Sequence, residues 1–554
     1  MSMELRMLLA IVLSFLLFFV YQVLFVKEVP VREQEPSRKE ETAKKLIPAE
    51  DERVRVLGEK PTVEEDAISK KQRPGRTITV WTGLYVAELA ERGGSFKDFR
   101  LKKYKETLAP DTPMKQLIQL PGDQGFTPVV SFQGKALEGL GHAVFEATSN
   151  VDAIDATEAS KDVSFTWTSR DGVTIVKTYS FIPDSYEVGL EVKVRNLASR
   201  PIEDKLSLSL RNSLKEIGAS RYTFSGPAAL INGELEEIKT KNIASEGSYS
   251  GRIAWVACED QYFVSAIIPE DASEANMRLS LTSDEILETT YMDPAGPVAP
   301  QTERTYRYKL YFGPKSLEAL DRVGSELGKI LDFGFFDIIA KPLLYAMNYM
   351  HRFIPSYGIA IIIITVIVKL LFWPLSNKSY KSMNQMKRLQ PKMKELRAKY
   401  KDDKKMMNQE LMNLYKVYKV NPLGGCLPMV FQIPVFFAFY KMLYQAIELR
   451  HAPFFLWIND LSAPDRLFDF GFKIPMMDPP CGIPVLTIIM GASMFLQQKM
   501  SPPPGDPTQA KMMMMMPIFF TFIFINFPSG LVLYWLVNNI LSMAQQYYIT
   551  KKMA

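Results

Sequence analysis

The chain is poor in the residues that most covalent chemistry needs. It carries three histidines, His142, His351 and His451, and their scatter gives no metal-ligand spacing. Its three cysteines, Cys258, Cys426 and Cys481, cannot build a complete disulfide framework. No G-x-x-x-x-G-K-[ST] phosphate loop occurs, so the usual cradle for a nucleotide is missing. No Ser/His/Asp or Cys/His grouping is arguable. No pair of carboxylates is placed for glycosidase chemistry. The chain is therefore expected to be no enzyme and to use no cofactor or metal. The charge excess is also small, at +5, and no sequence-specific nucleic-acid partner is expected. Where the charges lie matters more than their sum.

Long apolar runs, by contrast, are present, and they divide the chain. Residues 7–26 are mostly apolar and long enough to span a bilayer of ~20 helical residues. They end YQVLFVKEV with no small-x-small cleavage site, which reads as an anchor (1–26) rather than a removed signal. Residues 27–75 are rich in Lys, Arg, Glu and Asp and cannot offset their ordering entropy by burial. They read as a tether. From 76 to 330 short alternating segments recur, at 77–80, 163–167, 174–181, 186–194, 205–210, 277–281 and 305–312. Asp171-Gly172 between two of them is a hairpin signal. This is a large all-β domain, sandwich-like by default.

Residues 331–356 read as an amphipathic helix lying in the membrane interface, with Asp337, Lys341, Asn348 and Arg352 on one stripe. Pro342 is placed to bend it. Residues 357–550 then hold five candidate spans, near 357–375, 427–447, 483–499, 512–527 and 530–549. The fold class is thus an α-helical bundle core of five transmembrane helices plus an N-terminal anchor, with a large all-β domain between them. The loop 377–421 has thirteen Lys or Arg against four Asp or Glu, and 448–482 has three against five. The positive-inside rule puts the first in the cytoplasm and the second outside. Six spans then leave both termini inside and the β domain outside.

Three places invite a functional reading. The cytoplasmic loop 377–421 reads as an α-hairpin with apolar repeats of 3 and 4. Asp402 or Asp403 serves as N-cap of its second helix. Met383, Met386, Met393, Met407 and Tyr415 would give it an adaptable docking face. Met490, Met494, Met513 and Met516 would form an apolar slide for passing segments. The third place is GIAIIIITVIVKLLFWP (358–374), an apolar stretch that carries Lys369. A charge at a helix centre costs ~2.5–3.5 kcal/mol on insertion scales. Thr365 lies one turn from Lys369 on the same face. Gln432 lies at a similar depth in the next span, and Asn538 and Asn539 lie near the middle of the last. If these helices face each other, they enclose a hydrated pocket open to the cytoplasm.

These motifs resemble the YidC family of membrane protein insertases, in the form with a large periplasmic domain found in Gram-negative bacteria. The resemblance runs through GIAIIIITVIVK (358–369), LQPKMKELR (389–397), KVNPLGGCLPMVFQIPVFFAFY (419–440), ELRHAPFFLWINDLSAPD (448–465), QQKMSP (497–502) and FPSGLVLYWLVNN (527–539). It is looser in WVACEDQYFVSAIIP (255–269) and LYFGPK (310–315). It implies a five-helix core with a hydrophilic groove, a β-supersandwich periplasmic domain and a location in the inner membrane. It also implies a protein that inserts, folds and helps assemble membrane proteins without ATP. The implied partners are nascent membrane proteins, the Sec translocon with its accessory subunits, and the lipid bilayer. The implied groove residues are Lys369, Thr365, Gln432 and Asn538, with Tyr534 and Trp535 nearby. Arginine is usual in the family where this chain has Lys369, which keeps the charge without the planar fork. Lys551-Lys552 alone follow the last span, so the ribosome contact of relatives with long basic tails is not carried over. The competing function is a polytopic solute transporter or channel with an accessory β domain. Such proteins usually show internal repeats or broken helices, and no repeat relates these spans.

Overall fold

The computed structural model describes residues 75–553 apart from 119, 121–125, 135–136, 215–222, 244–246, 283–284, 402, 419, 421–426 and 502–506. The expected anchor, and the tether but for its last residue, lie outside the described residues. So does Asp402.

Alternation sets the strands of the β domain. Val173–Phe181 reads VTIVKTYSF, and every second residue from Val173 onward is buried, as a pleated strand with one inward face requires. It pairs antiparallel with Lys161–Thr168 and Glu187–Asn196. The hairpin at Asp171-Gly172 forms, with Arg170, Asp171 and Gly172 as its loop. Ser169 N donates to Val173 O at 2.8 Å, and Gly172 takes the left-handed backbone (φ 90°) that such loops reserve for glycine. Two strands, Gly226–Ile231 and Phe263–Pro269, are buried at every position. These carry no alternation for a sequence reading to detect.

Among the described residues the strands form two sheets. One has five strands, in the order Met114–Ile118, Ser95–Lys105, Tyr85–Ala90, Thr77–Trp81, Ala153–Asp155. The other has thirteen, and Thr302–Pro314 runs through its middle between Phe263–Pro269 and Glu187–Asn196. An aromatic cluster joins the sheets. Phe96 of the small sheet meets Tyr179, Phe181 and Phe312 of the large one at ring distances of 5.1, 6.2 and 5.5 Å. Edge-on aromatic contacts of this kind add ~0.5–1.5 kcal/mol beyond area burial.

Lys177 is enclosed in that core. Its Nζ donates to Gly93 O at 2.6 Å and lies 4.5 Å from the Phe145 ring centre. Burial disfavours the charged form and pulls its pKa from 10.5 down to about 7.

Nine helices follow or flank the core among the described residues: α1 (Leu317–Val323), α2 (Asp337–His351), α3 (Tyr357–Leu371), α4 (Trp373–Lys399), α5 (Lys404–Val417), α6 (Leu427–Gln445), α7 (Val485–Met500), α8 (Pro507–Phe524) and α9 (Ser529–Met553). The end of α6 meets the β domain. Gln261 Nε2 donates to Tyr444 O at 2.8 Å, and Arg450 Nη2 donates to Lys105 O at 2.7 Å. Helix α2 keeps Pro342 inside it. It buries Ala340, Leu344 and Met347 and exposes Phe335, Ile338, Tyr349 and Phe353 near or along it. Asp337 and Lys341 pair at 2.7 Å.

Among the described residues no single helix is long and apolar enough to cross a membrane. The pair α3 and α4 passes that test together, across a bend of 64°. At the helical rise the fifteen residues of α3 extend about 22 Å, short of the ~30 Å hydrocarbon core. The stretch read as one span at 357–375 is therefore broken at Phe372. Pro374 supplies no amide hydrogen at the start of α4 and suits that position. Lys369 consequently sits in the last turn of α3, not well inside a straight span.

The pH dependence of stability tests the burial of Lys177. Between pH 7 and 9 the unfolded chain holds a proton on Lys177 more tightly than the native protein does, so stability gains from this residue as pH rises. The melting temperature of the β domain within the full chain is expected to rise more over this range in the wild type than in Lys177→Met. Parallel curves would contradict the assignment.

Candidate substrate-binding recess

The face of α3 that buries Ile361 and Ile364 also buries Thr365 and Lys369. Thr365 Oγ1 returns its hydrogen to Ile361 O at 2.6 Å, the back-bond that lets a hydroxyl sit in an apolar helix. Lys369 is 6% exposed. Its Nζ donates to Ser542 Oγ at 2.6 Å, and Ser542 Oγ donates to Asn538 O at 2.7 Å. Asn538 Oδ1 accepts from Gln432 Nε2 at 2.8 Å. One line of hydrogen bonds therefore crosses α3, α9 and α6. The ammonium has three donors, and Ser542 takes one. Among the described residues no charged partner stands beside it. Its place in the last turn of α3 helps, because the carbonyl end of a helix favours a cation by ~0.3–1 kcal/mol.

Lys369, Gln432 and Asn538, expected to share one pocket, are linked by this line across adjoining helices, and Thr365 shares the buried face of α3 with Lys369. Asn539 is not part of it. It turns a hundred degrees around α9 and donates to Ser493 Oγ of α7 at 3.0 Å. Ser542 was not anticipated, nor was Gln545, whose Nε2 donates to Asn377 Oδ1 of α4 at 3.1 Å. Asn538, Ser542 and Gln545 are spaced 4 and 3, a polar stripe on one face of α9. That spacing was the available signal. Tyr380 Oη reaches Ser542 O at 3.5 Å, so the first turns of α4 form a further wall.

On the side nearer the β domain aromatic rings take over. Tyr534, one turn before Asn538, stacks on Phe439 with ring centres 4.4 Å apart and planes at 14°. Trp535 meets Phe436 edge-on at 4.6 Å. These rings pack α6 against α9 with apolar surface.

Two family models match the chain: one described as 60Kd inner membrane protein, over residues 349–554, and one described as YidC periplasmic domain, over residues 77–346. The membrane protein insertase YidC of Syntrophus aciditrophicus (strain SB) is 40% identical, covering 99% of this chain and all of its own. The protein of that name from Pelobacter propionicus is 41% identical over 99% of both chains. A solved structure described as an active YidC insertase with its first transmembrane domain resolved covers 85% of this chain and 92% of its own, at 18% identity and a TM-score of 0.37. The chain belongs to the YidC family. It is thus a relative of inner-membrane insertases with a β-rich periplasmic domain, and nothing in these matches favours a transporter or channel.

In this YidC-family chain the methionine stripes lie differently from expectation. Met393 and Tyr415 are buried between α4 and α5, where Tyr415 Oη lies 3.9 Å from Met393 Sδ. Met386 and Met407 pack against the same small core, and Met383 is half-buried. The stripe thus joins the two hairpin helices instead of forming an open face. Met406, Met412, Val417 and Tyr418 are the exposed apolar side chains there. The physical reason is that the helical spacing of the stripe brings it onto the facing sides of the two helices, where it holds them together. Asp403 caps α5, accepting from Lys405 N and Met406 N at 3.0 Å each. Met490 is fully buried, so it offers no surface to a passing segment. Met494 and Met513 are half-buried, and Met516 is exposed.

Coupling across the recess is measurable. A double-mutant cycle on Gln432→Leu and Asn538→Leu, read by unfolding in mild detergent, is expected to give ~0.6–1.7 kcal/mol, the range for hydrogen bonds between membrane helices. Strict additivity would show that the contact carries no energy.

Proposed function

We propose that this membrane protein insertase admits the short polar end of a nascent single-span protein into the recess bounded by α3, α6 and α9. The observation that carries the proposal is Lys369, a buried cation whose partner among the described residues is one hydroxyl. An acidic client end would complete its hydrogen bonding. The recess is open toward the cytoplasm and closed toward the periplasm, and it shortens the hydrocarbon the polar end must cross. The spans, the anchor and the inside location of both termini follow the charge bias of the loops. The client's apolar segment then leaves past α7 and α8, along Met494, Met513 and Met516, into lipid.

The energy comes from the client. About twenty apolar residues at −0.3 to −0.6 kcal/mol give roughly −6 to −12 kcal/mol on partitioning. A membrane potential positive outside adds ~2.3 kcal/mol per acidic charge per 100 mV. No nucleotide is consumed. The basic hairpin α4–α5 receives the client first, through its exposed Met412 and Val417 edge. The protein acts alone or beside the Sec translocon and its accessory subunits, and it also assists folding and assembly of its clients.

Charge at position 369 decides the test. Like charges 4 Å apart cost about 4 kcal/mol at an effective dielectric constant of 20, so Lys369→Glu is expected to slow insertion of acidic-ended clients into liposomes by at least ~10-fold. Lys369→Arg is expected to insert them at close to the wild-type rate. Equal rates for all three proteins would defeat the role given to the recess charge.

A further inference from the structure

The loop joining α6 to α7 has no part in the line from Lys369 to Gln432, yet it presents a group of strongly exposed apolar side chains. Leu456, Phe468 and Met476 are 70%, 68% and 79% exposed. Phe455 and Phe472 are exposed as well, and Phe472 stacks on Phe470 at 5.7 Å. Leu456, Phe468 and Met476 all have left-handed backbones, with φ of 55°, 61° and 65°. Bulky apolar residues rarely adopt that conformation, and it persists only where the surroundings dictate it.

The surroundings here do dictate it. Leu467 and Ile483 exchange both backbone hydrogen bonds at 2.9 Å, and Phe470 N donates to Cys481 O at 2.8 Å. Arg466 Nη1 donates to Ile525 O at 2.8 Å in the turn between α8 and α9. Asn526 of that turn donates from Nδ2 to Met476 O at 3.0 Å and accepts from Asp478 N at 2.9 Å. The loop is a braced structure at the ends of the helices. Those ends lie on the side of the β domain, because Tyr444 and Arg450 touch it.

The loop's acids are largely occupied within it. Asp465 accepts from Leu486 N at 2.7 Å and Thr487 Oγ1 at 3.0 Å, and Asp460 accepts from His451 N at 3.1 Å and Ser462 N at 2.8 Å. The exposed tip from 468 to 476 keeps Asp469 and Lys473, one charge of each sign. Such a surface offers no charge pattern for a polar partner. It does offer apolar area at the level where helices of an inner-membrane protein leave the hydrocarbon.

We propose that this loop is a rigid foot whose apolar tip is seated in the lipid of the outer leaflet. The occupant is phospholipid at the boundary between headgroups and acyl chains. Neutrality of the tip means that apolar burial, not attraction to anionic headgroups, holds it there. The brace to the α8–α9 turn ties the foot to the helix that carries Asn538 and Ser542. The foot thereby fixes the height of the recess in the bilayer.

A photo-crosslinking phenylalanine analogue placed singly at Phe472 or Met476 tests this in the full chain, in its own membrane. Leu197, an exposed apolar residue of the β domain, is the control position. Irradiation is expected to give phospholipid adducts from 472 or 476 and none from 197. Adducts to protein only, or no adducts from either loop position, would overturn the proposal. In the charge-bearing variant Phe468→Asp/Phe472→Asp, lipid adducts from position 476 are expected to be lost, whereas unchanged adducts there would argue against the foot.

Discussion

A lysine side chain in an apolar helix needs a replacement for its water, and the geometry around Lys369 is arranged to supply one. The hydroxyl of Ser542 takes one proton of the ammonium. The carbonyl and side chain of Asn538 carry the line onward to Gln432. Three helices far apart in the chain are held in register by that line. The carbonyl end of α3 lowers the cost a little further, whereas the apolar packing around it raises the cost; among the described residues Ser542 takes one of the three donors. A site that is satisfied only in part is costly to keep. Its persistence in the last turn of a bent helix suits a place where a visiting polar group is expected.

The core is asymmetric on the two sides of Lys369. Toward the β domain, Tyr534 and Phe439 stack and aromatic rings fill the contact between α6 and α9. Away from it, Ser542, Gln545, Asn377 and Tyr380 continue the polar surface along α9 and the first turns of α4. The break at Phe372 makes this possible, since it turns α4 to run beside α9. The loop between α6 and α7 braces the opposite ends of the same helices. The β domain is anchored to that end through Arg450 and Gln261, so it is joined to the core by direct hydrogen bonds as well as by the chain.

Much of this arrangement was legible in the residues. Alternation found strands such as Val173–Phe181, and a lone charge in an apolar run found Lys369. Depth alone grouped it with Gln432 and Asn538. What was missed has physical causes. Strands such as Phe263–Pro269 are buried on both faces and carry no period. The methionines of the hairpin have helical spacing whether they face a partner or each other, so periodicity could not tell packing from docking. Asn538 and Asn539 are adjacent in sequence, but neighbours on a helix point to different partners, and only the packing of α7 separates them. Ser542 is a small hydroxyl, unremarkable until a cation is found beside it.

The central claim is that clients pass beside Lys369. Photo-crosslinkers at positions 365, 369, 432 and 538, probed with a stalled nascent single-span protein, test it most directly. The account predicts adducts between the client's polar end and all four positions, with weaker adducts from position 539 on the α7 side. Adducts confined to the hairpin and to exposed positions of α8, with none from positions 365, 369, 432 or 538, would contradict it.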